Sequence, residues 1–222
     1  MLRCLKADSV VFPWRSSRLI AVVMMLAWSA APLVAQVPAA ESDKPVSLGI
    51  WRSIDGRTHR LPVASETSSS RPPADPASRL IATVFIFAMP DCPAANRYWP
   101  EINRIATEFP RCRFFVVQVD ADLTIAAAQQ FAKDYQIAAP VLLDPEQKLS
   151  RSLGATMSPQ AVVVSGAGKV LYCGRIDNRF AAFGKERPAP TKRDLREVLR
   201  AVSKGRPSPH EHTEVIGCHL PR

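Results

Sequence analysis

From Leu80 to Ala88 the chain reads Leu-Ile-Ala-Thr-Val-Phe-Ile-Phe-Ala, nine residues with a single polar position, before Met89-Pro90-Asp91 interrupts it. An apolar run of this length, ended by turn residues, predicts the central strand. After the interruption the period changes. Tyr98, Ile102, Ile105, Ala106 and Phe109 recur at helical spacing, predicting a helix from Pro93 to Phe109 with a kink at Pro100. Phe114–Val119 predicts a second buried strand and Leu123–Tyr135 a second helix. Val141–Leu143 predicts a short strand, and Glu146–Leu153 a short helix closed by Gly154. Ala161–Val164 and Lys169–Cys173 flank Ser165-Gly166-Ala167-Gly168 as a hairpin. The last helix is expected over Thr191–Ser203, with Leu195, Val198, Leu199 and Val202 on one face and Thr191 and Asp194 at capping-box spacing. Upstream, Asp55-Gly56 divides Leu48–Leu61 into a further hairpin.

Strand, helix, strand, helix, short strand and helix, hairpin, helix is a βαβ unit joined to antiparallel strands. The fold class is therefore α/β, a mixed central β-sheet flanked by helices, with an N-terminal β-hairpin extension. Four segments follow: 1–35, 36–79, 80–203 and 204–222. The first carries Arg3, Lys6, Arg15 and Arg18 ahead of the uncharged stretch Leu19–Ala35, the pattern of a secretory signal peptide cleaved after Ala35 or Ala39. Its apolar stretch is short for a membrane span, so no stable span is expected after cleavage and the protein is expected to be exported, periplasmic or secreted. Residues 36–79 form a flexible tether, the hairpin and a Ser/Pro-rich loop, 80–203 the main domain, and 204–222 a tail carrying Cys218.

Charge narrows the partners. The chain is formally +9, and the basic residues are scattered among acids with no aromatic-interleaved basic run, which argues against nucleic acid. Four of the five cysteines, Cys92, Cys112, Cys173 and Cys218, lie beyond the leader and are too widely spaced for a small disulfide scaffold.

Cys92 is the candidate reactive group. It falls where the central strand gives way to a helix, and Pro93 suits the first helical position because its missing N–H is not needed there. Free N–H groups at that point favour a thiolate, while Asp91 opposes it.

Cys92-Pro93 at a strand-to-helix junction, Gly154-Ala155-Thr156-Met157-Ser158-Pro159-Gln160 ahead of a strand, and the Gly166-Ala167-Gly168-Lys169-Val170 turn together resemble the thioredoxin-fold redoxin family. That family includes thioredoxin-like oxidoreductases and the AhpC/TSA peroxiredoxins. Gly174–Phe180, Lys192–Leu195 and Thr213–Cys218 resemble exported bacterial redoxin-domain proteins. The resemblance implies a thioredoxin-like fold in which Pro159 is cis and lies against Cys92. It also marks two departures: Ala95 stands where thioredoxin has its second cysteine, and Met89 and Phe85 stand where peroxiredoxins have a threonine and a proline.

Cys92 then needs another thiol to complete a cycle. On the resembled sheet Cys112 lies at the opposite pole, Cys173 at the same pole on the sheet edge, and Cys218 in a tail mobile enough to fold back. Cys218 is the expected resolving cysteine. Arg175 is expected near the site, either favouring the thiolate or fixing a loop through a salt bridge. The reading is an exported thiol oxidoreductase that reduces or exchanges disulfides or reduces peroxides, with Cys92 and Cys218 catalytic and Pro159, Pro93 and Arg175 supporting. Its partners are a protein thiol or disulfide, or a peroxide, and it needs no cofactor or metal. The alternatives are a non-catalytic redoxin-fold binding module and a metallochaperone. For the last, His210, His212 and His219 supply ligands, but Asn96 stands where Sco-type copper proteins carry their second cysteine.

Overall fold

The computed structural model describes residues 46, 48–61 and 80–221. The expected signal peptide, nearly all of the tether and the Ser/Pro-rich loop lie outside the described residues.

Five strands form the main sheet, in the order β5-β4-β3-β7-β8. The centre is β3 (Ala82–Phe87), parallel to β4 (Cys112–Gln118) and antiparallel to β7 (Gln160–Ser165). Outside these, β5 (Val141–Leu143) runs parallel to β4, and β8 (Val170–Gly174) antiparallel to β7. All six residues of β3 are buried. Alternation explains its unbroken apolar run: Val84 and Ile86 enter one core with Val116, Val163, Trp99 and Leu199, whereas Phe85 and Phe87 enter the other with Phe115, Val162 and Leu149.

The N-terminal hairpin, β1 (Gly49–Arg52) and β2 (Thr58–Leu61), contributes Leu48 and Leu61 to the second core. The same core takes the short helix α4 (Lys148–Leu153), closed as expected by Gly154 at φ +70°. Helix α3 (Ile125–Asp134) starts at Thr124, whose side chain accepts from the Ala127 N–H at 3.2 Å.

Two expectations about helices are corrected. The helix expected over Pro93–Phe109 is broken into α1 (Pro93–Asn96) and α2 (Trp99–Glu108). Pro100 has no N–H to give the Asn96 carbonyl and its ring excludes a continuous turn there, but it is accommodated in the first turn of a new helix. The last helix, α5 (Asp194–Ser203), has no Thr191–Asp194 capping box. Asn178 takes the Thr191 hydroxyl at 2.8 Å, and the Asp194 carboxylate is turned to Arg175.

Four short strands fall where no periodicity predicts them. β9 (Phe180–Ala182) and β10 (Lys185–Glu186) form a small hairpin. β6 (Met157–Ser158) pairs antiparallel with β11 (Cys218–His219), placing Cys218 opposite Ser158. The tail is thus folded back across this pole and paired there. Glu211 O accepts from Cys173 N at 2.9 Å, His212 bridges Cys173, and Leu220 donates its N–H to Thr156 O at 2.9 Å while burying its side chain in the second core. Among the described residues no helix is long and apolar enough to cross a membrane.

Candidate active site

Cys92 is held by backbone on both sides. Its N–H donates to Met89 O (3.2 Å), its carbonyl accepts from Asn96 N (3.0 Å), and the Asn96 amide reaches back to Pro90 O (2.9 Å). Pro93 occupies the start of α1, as its missing N–H permits. The Cys92 side chain is 1% exposed.

The peptide bond Ser158–Pro159 is cis, and the residue before the proline meets the thiol. Cys92 Sγ donates to Ser158 O at 3.1 Å, and the Ser158 hydroxyl accepts from Met89 N at 2.9 Å. The β6–β11 pairing then delivers Cys218: the Cys92 thiol points at Cys218 Sγ across 2.6 Å, both cysteines being free. Residues 126 positions apart in sequence share one site.

Burial pushes the Cys92 thiol up, but it is outweighed. Hydrogen bonds from the Cys218 thiol and the Ser158 hydroxyl, then from the backbone N–H groups of Ala95 and Cys218, bring its pKa below the ordinary value. For Cys218, burial, the bond it gives Cys92, the Cys92 charge and Asp91 all act in one direction and push it up to about 12. The negative charge of Asp91, expected to oppose the Cys92 thiolate, bears on Cys218. The pair is therefore unequal, Cys92 being the more acidic thiol and Cys218 the less acidic one.

The other two cysteines stand apart. Cys112 begins β4, opposite Ala82 at the start of β3, and burial raises it to about 11. Cys173 packs against the second core, away from the core that holds Cys92; it accepts from Gln160 Nε2 at 3.1 Å, and burial raises its pKa.

Arg175 lines a small cavity beside the pair with Tyr98, Pro159, Phe180 and Ile216. Its guanidinium engages Asp194 through two bonds, 2.8 and 3.1 Å. Of the two roles considered for it, the geometry is that of the salt bridge. Beside it the Tyr98 hydroxyl donates to the buried Asp177 carboxylate at 2.7 Å, with the Arg179 guanidinium 5.1 Å above the Tyr98 ring. Among the described residues, no three His, Cys, Asp or Glu side chains converge into a metal-binding set; His210 faces Glu197 at 3.3 Å.

Ser158 is the site residue the sequence reading passed over. Its signal was position: it immediately precedes the proline expected to lie against Cys92. Gly217, immediately before Cys218, was passed over in the same way.

The AhpC/TSA family model matches residues 78–173, which include Cys92 and Pro159 and leave Cys218 outside. An uncharacterized conserved protein from Geobacillus kaustophilus superimposes with a TM-score of 0.64 at 19% identity, covering 80% of this chain and 91% of its own. A hypothetical protein from Sinorhizobium meliloti gives 0.62 at 17%, covering 79% and 92%. A secreted Mycobacterium tuberculosis disulfide oxidoreductase gives 0.42 at 17%, covering 55% and 78%. No curated protein matches the chain.

Proposed function

We propose, from the premise that this chain is a thioredoxin-fold redoxin, that it is a thiol–disulfide oxidoreductase whose two-electron couple is Cys92 and Cys218. The observation carrying this reading is the 2.6 Å approach of the two sulfurs beside Pro159. A disulfide between them requires only a small closure and the loss of two protons and two electrons.

The difference in exposure supports one order of events: Cys218 is half-buried whereas Cys92 is covered, so Cys218 is the cysteine offered to a partner. A partner thiolate attacks Cys218 Sγ, forming a partner–Cys218 bond and breaking the Cys218–Cys92 bond. Cys92 leaves as a thiolate, stabilised by the Ser158 hydroxyl and the Ala95 and Cys218 N–H groups, and a low-pKa thiol leaves fast. A second partner thiolate then attacks the partner sulfur of the mixed disulfide, releasing Cys218, which takes up a proton. The partner loses two electrons and leaves as a disulfide, and the pair gains them. A second disulfide, acting as electron acceptor, restores the oxidised form.

Peroxide reduction fits less well, because the Cys92 sulfur is covered by β11 and Met89 supplies no hydroxyl in place of the peroxiredoxin threonine. Export rests on the leader read in residues 1–35 and agrees with a couple that must be reoxidised, as an oxidising compartment allows.

The test mixes oxidised protein with a synthetic dithiol peptide and follows the peptide thiols by quenched mass spectrometry. Wild type converts one peptide equivalent to its disulfide, and Cys92→Ser and Cys218→Ser both abolish the reaction. Conversion at the wild-type rate by either variant would overturn the assignment.

A further inference from the structure

The tail approaches the domain closely at two points, and each is occupied by glycine. At the end of β8, a Cβ on Gly174 would press into the Thr213 hydroxyl, 2.9 Å from Thr213 N and 2.7 Å from Tyr172 Oη. That absence of side chain lets Thr213 accept from Arg175 N at 3.1 Å and meet Tyr172 Oη at 2.5 Å. Four residues further on, a Cβ on Gly217 would drive into the Ser158 carbonyl oxygen, 2.9 Å from its carbon and 3.3 Å from Pro159 Cδ. Positive φ is not the reason for glycine here. The requirement is space between two backbones.

We infer that Gly217 is the positioning residue of the redox pair: by lacking a side chain it lets β11 lie against Ser158 closely enough to bring Cys218 Sγ onto Cys92. This rests on the reading of Cys92 and Cys218 as the couple. Cysteine reaches outward through one rotatable bond, so its backbone decides what its sulfur can touch, and a disulfide tolerates only a narrow range of Cα separation. The Cys92 sulfur itself is fixed, because its thiol already donates to the carbonyl that Gly217 approaches. Any Cβ at 217 meets backbone on the Ser158 side and cannot be relieved by rotating a flexible neighbour. The strand must lift, and Cys218, the next residue, lifts with it.

The flanking anchors explain why position 217 decides the outcome. Thr213 holds the tail on one side and Leu220, buried in the second core, on the other. The segment between them has too little slack to restore the sulfur contact after a displacement at Gly217.

The experiment compares full-length wild type, Gly217→Ala, Gly217→Ser and Cys218→Ala. Two quantities are read: the Cys92–Cys218 disulfide fraction in glutathione buffers, and the pH profile of Cys92 alkylation. Both Gly217 variants are expected to lower the disulfide equilibrium constant at least tenfold and to shift the alkylation midpoint upward to that of Cys218→Ala. Adding Cys218→Ala to Gly217→Ala should then change the profile no further. A general loss of stability would move the melting temperature but not these two readings. Gly217 variants with the wild-type equilibrium and profile overturn the inference, and so does failure of Gly217→Ala to fold, which would make the residue a support of the core. A wild type that forms no Cys92–Cys218 disulfide at any glutathione ratio overturns instead the couple on which the inference rests.

Discussion

Ser158 acts on Cys92 by two routes: its carbonyl accepts from the thiol and its hydroxyl stabilises the thiolate, while the same hydroxyl caps the Met89 N–H. Ser158→Ala should therefore raise the Cys92 pKa and slow its alkylation at pH 7 several-fold, as read by iodoacetamide kinetics with mass spectrometry. The two thiols also impose a pH dependence on the reduced protein. Cys92 is depressed in the native state, so its contribution to stability is complete above the ordinary thiol value and is lost as pH falls through the lower native one. Cys218 is raised to about 12, so its contribution is complete below the ordinary value and is lost as pH rises toward 12. Melting temperature against pH should rise toward the ordinary thiol range and fall beyond it, and Cys92→Ser should flatten the rise; a rise unchanged by that substitution would contradict the assignment. At this scale Cys92 stood out because cysteine followed by proline at a strand-to-helix junction has a local signature, whereas Pro159 was indicated only by the family resemblance. Ser158 was not, since a serine's contribution depends on which backbone groups the fold brings to it.

Caps separate the elements that follow local rules from those that do not. Thr124 caps α3 in the ordinary way, and Thr124→Ala should destabilise the protein by about 1 kcal/mol in urea titration. Thr191 and Asp194 have equally good spacing for α5, yet tertiary partners outcompete the cap: Asn178 takes the hydroxyl, and Arg175 gains a bidentate bond to a buried carboxylate. Asp194→Ala should consequently cost more than a cap, roughly 2–3 kcal/mol, because it leaves a largely buried guanidinium without its partner. A loss near 1 kcal/mol would restore the capping interpretation. The strands with long apolar runs were legible because two-sided burial is written into consecutive residues. β6 and β11, of two residues each, carry no period, and their pairing exists only because the tail returns to Ser158.

For the whole molecule, a mixed sheet with a core on each face places the ends of β3 and β8 at the same pole, and the tail crosses between them. The order of elements was enough to infer a mixed sheet, and the family resemblance supplied the strand directions that put Cys112 at the far pole. It was not enough to show a docked tail, because the segment after α5 is rich in proline and charge and its anchors are a sheet edge, two glycine gaps and one buried leucine. The consequence is a domain in which the buried Cys92 thiol lies against Cys218 of the tail, the couple proposed above. The most direct test is non-reducing peptide mapping of protein equilibrated in oxidised and then reduced glutathione. One cross-link is predicted, joining the peptides of Cys92 and Cys218, present under oxidation, absent after reduction, with Cys112 and Cys173 free throughout. A cross-link from either cysteine to Cys173, or none under oxidation, would contradict the account.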